Sequence, residues 1–208
     1  MTTEPSVGTY PRLAFIVDEA RFAGFCLLLQ QGVKIRRRVG CSVDMFLREE
    51  IGAAPEMIEQ IQSIMLDGKP VDDIGSALVH DGSVLALSAA MPGLVGATLR
   101  RGGAYSSFRS VITYRETETA CAPVEGWVRV KVFNLLMSTL GPDLLRKGVL
   151  VSAADLFGLL IERAGELGKG CSVTIDDRPI DIGMLGKSTL PAGKEQVFLT
   201  VDVGPADA

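Results

Sequence analysis

One histidine, His80, and one tryptophan, Trp127, occur among the 208 residues, and no two of the four cysteines form a CxxC pair. With a single imidazole and with Cys26, Cys41, Cys121 and Cys171 scattered, no metal-ligand spacing arises and no cofactor is expected. GxSxG, the phosphate-binding P-loop, the dinucleotide glycine fingerprint and HExxH are all missing. No set of nucleophile, base and donors converges, so the chain is read as not an enzyme. An excess of positive charge is also lacking. Net charge is −4, with 10 basic and 12 acidic side chains in residues 1–103 and 11 and 13 in residues 104–208, which excludes a nucleic-acid partner. The longest uncharged run, 82–99, is 18 residues long but contains Pro92, Gly82, Gly93 and Gly96, a composition unsuited to a membrane helix. MTTEPSVGTY has neither a basic start nor an apolar stretch. No signal peptide is expected, and free thiols and a cytoplasmic location follow.

What is present is apolar mass. Hydrophobic residues make up 47% and mean hydropathy is +0.28, enough for packed cores and rich for a lone monomer. Short strands are expected at 13–17, 25–30 and 33–39, with Gln31-Gly32 as a tight turn. Ser42 stands where an N-cap belongs, before a helix ending near Gly52, and Pro55 opens a second helical piece. Strands follow at 63–67 and 83–88. The second half repeats the order: strands at 127–134 and 149–151, a helix capped by Ser152 with Asp155, and strands at 171–176 and 196–203. In that helix Leu156, Leu160, Ala164 and Leu167 share one stripe, which Gly168 and Gly170 close. LDGKPVDDIG (66–75) matches IDDRPIDIG (175–183) at an offset of 109, and Ser42 matches Ser152 at 110. Two ββ-α-ββ units are the expectation.

This order, with FCLLLQQGVKIRRRV, PEMIEQIQSIMLDGKPVDD and DGSVLALS in the first half, resembles the β-grasp fold of ubiquitin. WVRVKVFNLLMSTLG, the helix after Ser152 and GKEQVFLTVDVG resemble the bacterial sulfur carriers of thiamine and molybdopterin synthesis. The resemblance implies an α+β protein of two tandem β-grasp (ubiquitin-like) units, each a mixed sheet packed on one main helix. Residues 1–10 are then a disordered N-terminus and 11–103 a first unit with an apolar, Gly-rich extension. Residues 104–125 are a linker, with FRSVITY as a strand of its own; 126–204 form the second unit and 205–208 a tail.

Function is expected from surfaces. In MPGLVGA (91–97), Met91, Leu94 and Val95 are too apolar for a solvated linker and are candidate interface residues. Lys34, Arg36 and Arg38 alternate onto one strand face, where they either protect an edge or receive an acidic partner. The acidic turns around Asp67, Asp72, Asp73, Asp176, Asp177 and Asp181 read as turn chemistry. The primary expectation is a non-enzymatic protein-interaction or scaffold module with a protein partner or self-association. The resemblance also implies a carrier, in which cleavage after Gly103 would free Arg100-Arg101-Gly102-Gly103 as a tail; the residues themselves read as a glycine hinge between the units, with two solvated arginines. A β-grasp protein binding a small ligand is the remaining alternative.

Overall fold

The computed structural model describes residues 10–109, 111–117, 122–163, 171–185 and 195–204. It is an α+β protein with mixed sheets. In chain order the strands are β1 (Arg12–Val17), β2 (Val33–Val39), β3 (Cys41–Ser42), β4 (Ser63–Leu66), β5 (Lys69–Pro70) and β6 (Leu78–Val79). They continue as β7 (Val84–Ser88), β8 (Val124–Phe133), β9 (Val149–Ser152), β10 (Ser172–Ile175), β11 (Arg178–Ile180) and β12 (Gln196–Val203). Two compact units emerge, one of residues 1–33 with 141–208 and one of residues 34–140.

In the discontinuous unit the strand order is β9-β12-β1-β10-β11. β12 and β1 run parallel at the centre; β9, β10 and β11 pair antiparallel with their neighbours. Leu13, Phe15 and Val17 of β1 and Val197, Leu199 and Val201 of β12 are buried, the period-two pattern of a sheet with one covered face. The Phe15 and Phe25 rings meet at 5.0 Å. In the continuous unit the order is β2-β8-β7-β4-β5, again with a central parallel pair, β7 and β8. Ile64, Leu66, Leu85, Leu87, Val128, Val130 and Val132 share its core with Phe46, Leu47, Ile51 and Ile58. A small extra ladder joins β3 to β6.

Both serine caps are present. Ser42 accepts from Met45 N ahead of a helix, Val43–Met45, that continues as a π-helical turn, Phe46–Ile51, and ends at Gly52 with φ +86°. Ser152 accepts from Ala154 N and Asp155 N and opens helix Ala153–Glu162. In that helix Leu156 is buried and Leu160 half-buried, while Ala164, Leu167, Gly168 and Gly170 lie outside the described residues.

Three expectations are corrected. Residues 25–30 form no strand: helices run over Glu19–Phe25 and Leu28–Gln31, so β2 has no hairpin partner just before it. Asp18 caps the first of them by accepting from Arg21 N, and Phe22, Phe25 and Leu29 are buried at helical spacing. An unbroken apolar run does not tell strand from helix by periodicity. The described residues of FRSVITY form no strand either; Phe108 and Arg109 end a 3₁₀ turn, Ser106–Arg109, and Val111 and Ile112 are exposed. Third, a helix, Leu136–Lys147, fills the stretch between the expected strands 127–134 and 149–151, for which no element was expected. The divisions at 103 and 126 also fall inside the continuous unit, because β8 pairs with β7 there while β1, near the N-terminus, pairs with β12.

Candidate functional site

The MPGLVGA segment turns into a helix, Gly93–Leu99. Gly96 is required there, since a Cβ on it would run into the Met91 backbone carbonyl. The helix meets the 3₁₀ turn Ser106–Arg109, and the Tyr105 and Phe108 rings lie 6.1 Å apart. Leu94 is 73% exposed, Val95 63% and Phe108 80%. Seven of the thirteen exposed large apolar side chains among the described residues fall within residues 91–112, a concentration that isolated surface hydrophobes do not produce.

This apolar surface is strapped down by charge. Arg109 is 4% exposed, and its guanidinium makes five hydrogen bonds. Two form a fork on Asp72, at 2.9 Å to Oδ2 and 2.6 Å to Oδ1. The others reach Thr98 O at 2.5 Å, Arg100 O at 3.2 Å and Thr113 Oγ1 at 3.0 Å. A planar, permanently charged fork suits this work because it meets two carboxylate oxygens at once. A second tie lies further on. Glu116 Oε2 accepts from Leu78 N at 2.9 Å and from Tyr114 Oη at 3.0 Å, and His80 Nε2 stands 3.8 Å away. That oxygen is already engaged, so the carboxylate acts as a structural tie.

Arg100–Gly103 sits inside the strap. Arg101 N donates to Gln62 O at 2.7 Å and Gly102 N to Asp72 Oδ1 at 3.3 Å, with Gly102 at φ +61°. The four residues therefore form a docked turn within the continuous unit and not the expected hinge between units, because their backbone and the Arg101 side chain are bonded to Gln62, Ile58 and Asp72. The strand-face cations lie elsewhere. Val33, Ile35 and Val39 face the core while Lys34, Arg36 and Arg38 face outward, as the alternation predicts. Arg38 pairs with Glu50 at 2.7 Å and Glu49 at 3.5 Å, and Arg36 with Glu125 at 3.5 Å. Much of that positive stripe is neutralised by the chain's own carboxylates, and it is not brought together with Met91, Leu94 and Val95.

Asp67, Asp73, Asp176 and Asp181 are turn chemistry in atomic detail, whereas Asp72, also expected to be, accepts the Arg109 fork instead. Asp67 N donates to Val84 O while Asp67 Oδ1 accepts from Val84 N at 2.7 Å; Asp176 N and Oδ1 make the same two bonds with Arg12, the second at 2.9 Å. Asp73 Oδ1 accepts from Gly75 N and Asp181 Oδ1 from Gly183 N. The Ser76 hydroxyl and then the Gly75 N–H hold the Asp73 carboxyl below the usual carboxylate range. Cysteine chemistry is suppressed by burial, which pushes Cys26 up to about 11 and raises Cys41 and Cys171 as well. Cys121 lies outside the described residues. Among the described residues no cluster of His, Cys, Asp and Glu is arranged to hold a metal, and no helix is long and apolar enough to cross a membrane.

Sequence reasoning singled out the apolar segment but not its helix, read Asp72 only as part of an acidic turn, and did not single out Arg109; the two partners are 37 residues apart and lie on no shared motif. Compared with protein-family models, curated proteins and solved structures, the chain matches none.

Proposed function

We propose that this chain is a non-enzymatic protein-interaction module that docks a protein partner through residues 91–112. The observation that carries the reading is the exposed cluster of Leu94, Val95 and Phe108 on a segment pinned by the buried Arg109–Asp72 fork. A solvent-facing apolar patch costs solubility, and a fixed one lowers the ordering cost of binding. The raised cysteine pKa values support a binding role over nucleophilic chemistry. The units are read as ubiquitin-like, on the strength of the shared layout: a central parallel pair, an outer hairpin and a serine-capped helix.

The test replaces Leu94 and Val95 by Asp. The variant is expected to lose its assembly in solution or its captured partner while its circular dichroism stays unchanged; solution mass distinguishes self-association from a different chain. Unchanged mass and unchanged capture would refute the reading. Intact mass of the protein from its native cells addresses the carrier alternative. A species ending at Gly103, or a thiocarboxylate, would replace the interaction reading with that one.

A further inference from the structure

The sheet of residues 34–140 has one covered face and one open one. On the open face, register aligns Lys131 of β8 with Ala86 of β7 and Ala86 with Met65 of β4; in the next row Phe133 aligns with Ser88. Met91 and Pro92 fold over the Phe133 end, and a groove of about 290 Å³ runs between them and Met65, Ala86 and Phe133. It falls just short of the roughly 300–1,000 Å³ of small-molecule sites and admits one large apolar side chain. Asn134 Nδ2 donates to Ser88 Oγ at 3.1 Å and to Ala90 O, and Ser88 Oγ donates to Ala90 O at 3.2 Å. Those bonds hold the Met91-Pro92 wall in place.

The open face turns cationic beside this groove. Val128, Val130 and Val132 are buried in the core, so Arg129, Lys131 and Phe133 share the opposite side of β8. Lys131 therefore stands next to Ala86, two residues before Phe133. The neighbouring strand β2 adds Lys34, Arg36 and Arg38. Glu125 pairs with Arg36, and Glu49 and Glu50 pair with Arg38, so those carboxylates are engaged. Arg129 and Lys131 are half-buried and form no ion pair among the described residues. Two like charges on alternate residues of one strand repel each other, and a carboxylate placed beside them relieves that repulsion.

We propose that the partner docks here with a short acidic segment. One large apolar side chain enters the groove between Met91-Pro92 and the sheet, and carboxylates next to it pair with Lys131 and Arg129. The inference rests on the interaction reading above and names the chemistry of the partner: the apolar anchor supplies affinity and the carboxylates supply selectivity. A second copy of the chain does not suit a twofold contact at this face, since symmetry would set Lys131 and Arg129 against themselves.

The experiment titrates full-length protein, carrying ¹³C-labelled methionine methyls, with three synthetic peptides that share one central Phe flanked by Glu, by Gln or by Lys. The Glu peptide is expected to shift the Met65 and Met91 methyl signals and to bind roughly 5–10-fold tighter than the Gln peptide, the yield of two partly exposed ion pairs. Added salt shrinks that advantage by screening, and the Lys peptide binds weakest. In Lys131→Glu the preference for Glu over Gln disappears while the Gln peptide still binds, which also shows that the variant is folded. Ala86→Leu fills the groove and abolishes every peptide response with the other methyl signals unmoved. The inference fails if Met65 and Met91 do not respond, if the Gln peptide matches the Glu peptide, or if Lys131→Glu keeps the preference. It also fails if oligothymidylate or phosphatidylserine vesicles shift the same signals as strongly, because the face would then take any anion. Assembly and capture by the Leu94→Asp, Val95→Asp variant are read separately, so failure of the groove and failure of the interaction reading give different results.

Discussion

Arg109 is the side chain on which the apolar surface depends. Arg109→Ala leaves Asp72 without its fork and Thr98 O and Arg100 O without a donor. Asp72 is about one-third exposed, so the cost is that of acceptors left without a donor, about 1–3 kcal/mol. Urea unfolding should show that loss, and limited proteolysis should open first within residues 98–113. Gly96→Ala acts on the same region by collision, since the Met91 carbonyl occupies the space a methyl needs. Cys26 contributes a pH dependence whose direction is fixed by burial. Its thiol ionises near 11 in the folded chain against 9.0 for the free group, so the unfolded state loses its proton first. The stabilising preference for the neutral thiol is intact below pH 9 and is lost as pH rises through 9 toward 11. Chemical denaturation across that window should show stability falling in the parent and a shallower fall in Cys26→Ala.

Among the elements, the matched turns show how sequence likeness becomes structure. Asp67 and Asp176 both adopt positive φ, at 51° and 47°, and each exchanges two hydrogen bonds with the first or nearly first residue of the neighbouring strand. Asp67→Ala and Asp176→Ala should each cost about 1–2 kcal/mol, and by similar amounts, since each loses an acceptor and gains strain at φ > 0. Unequal costs in denaturant titrations would show that the likeness stops at geometry. The serine caps give a second matched pair, with Ser42→Ala and Ser152→Ala each expected to cost about 1 kcal/mol. Elements with a two-residue period or a cap were legible before any coordinates: β4, β7, β10, β12 and both capped helices fall where expected. Phe25–Gln30 was not, because six consecutive residues of largely apolar character satisfy strand and helix alike. Only Asp18 and the acidic Glu19 after it marked a helix start, well before the ambiguous run.

For the whole molecule the decisive feature is where each sheet finds its central strand. β1 lies between β12 and β10, although more than 150 residues separate it from either. Deleting residues 1–17 should therefore unfold the discontinuous unit, with the loss of its cooperative transition and its protected amides. A fragment of residues 126–208 should likewise fail to fold, since it lacks β1. Survival of that fragment as a cooperative domain would contradict the division. The chain alone determined its acidic turns, serine caps and alternating strands, because each is written within a few residues by local sterics and hydrogen bonding. Tertiary structure decided which strands pair and that Arg109 reaches Asp72. Those outcomes depend on contacts between residues distant in sequence, where the competing partners are alike in composition and only packing selects among them.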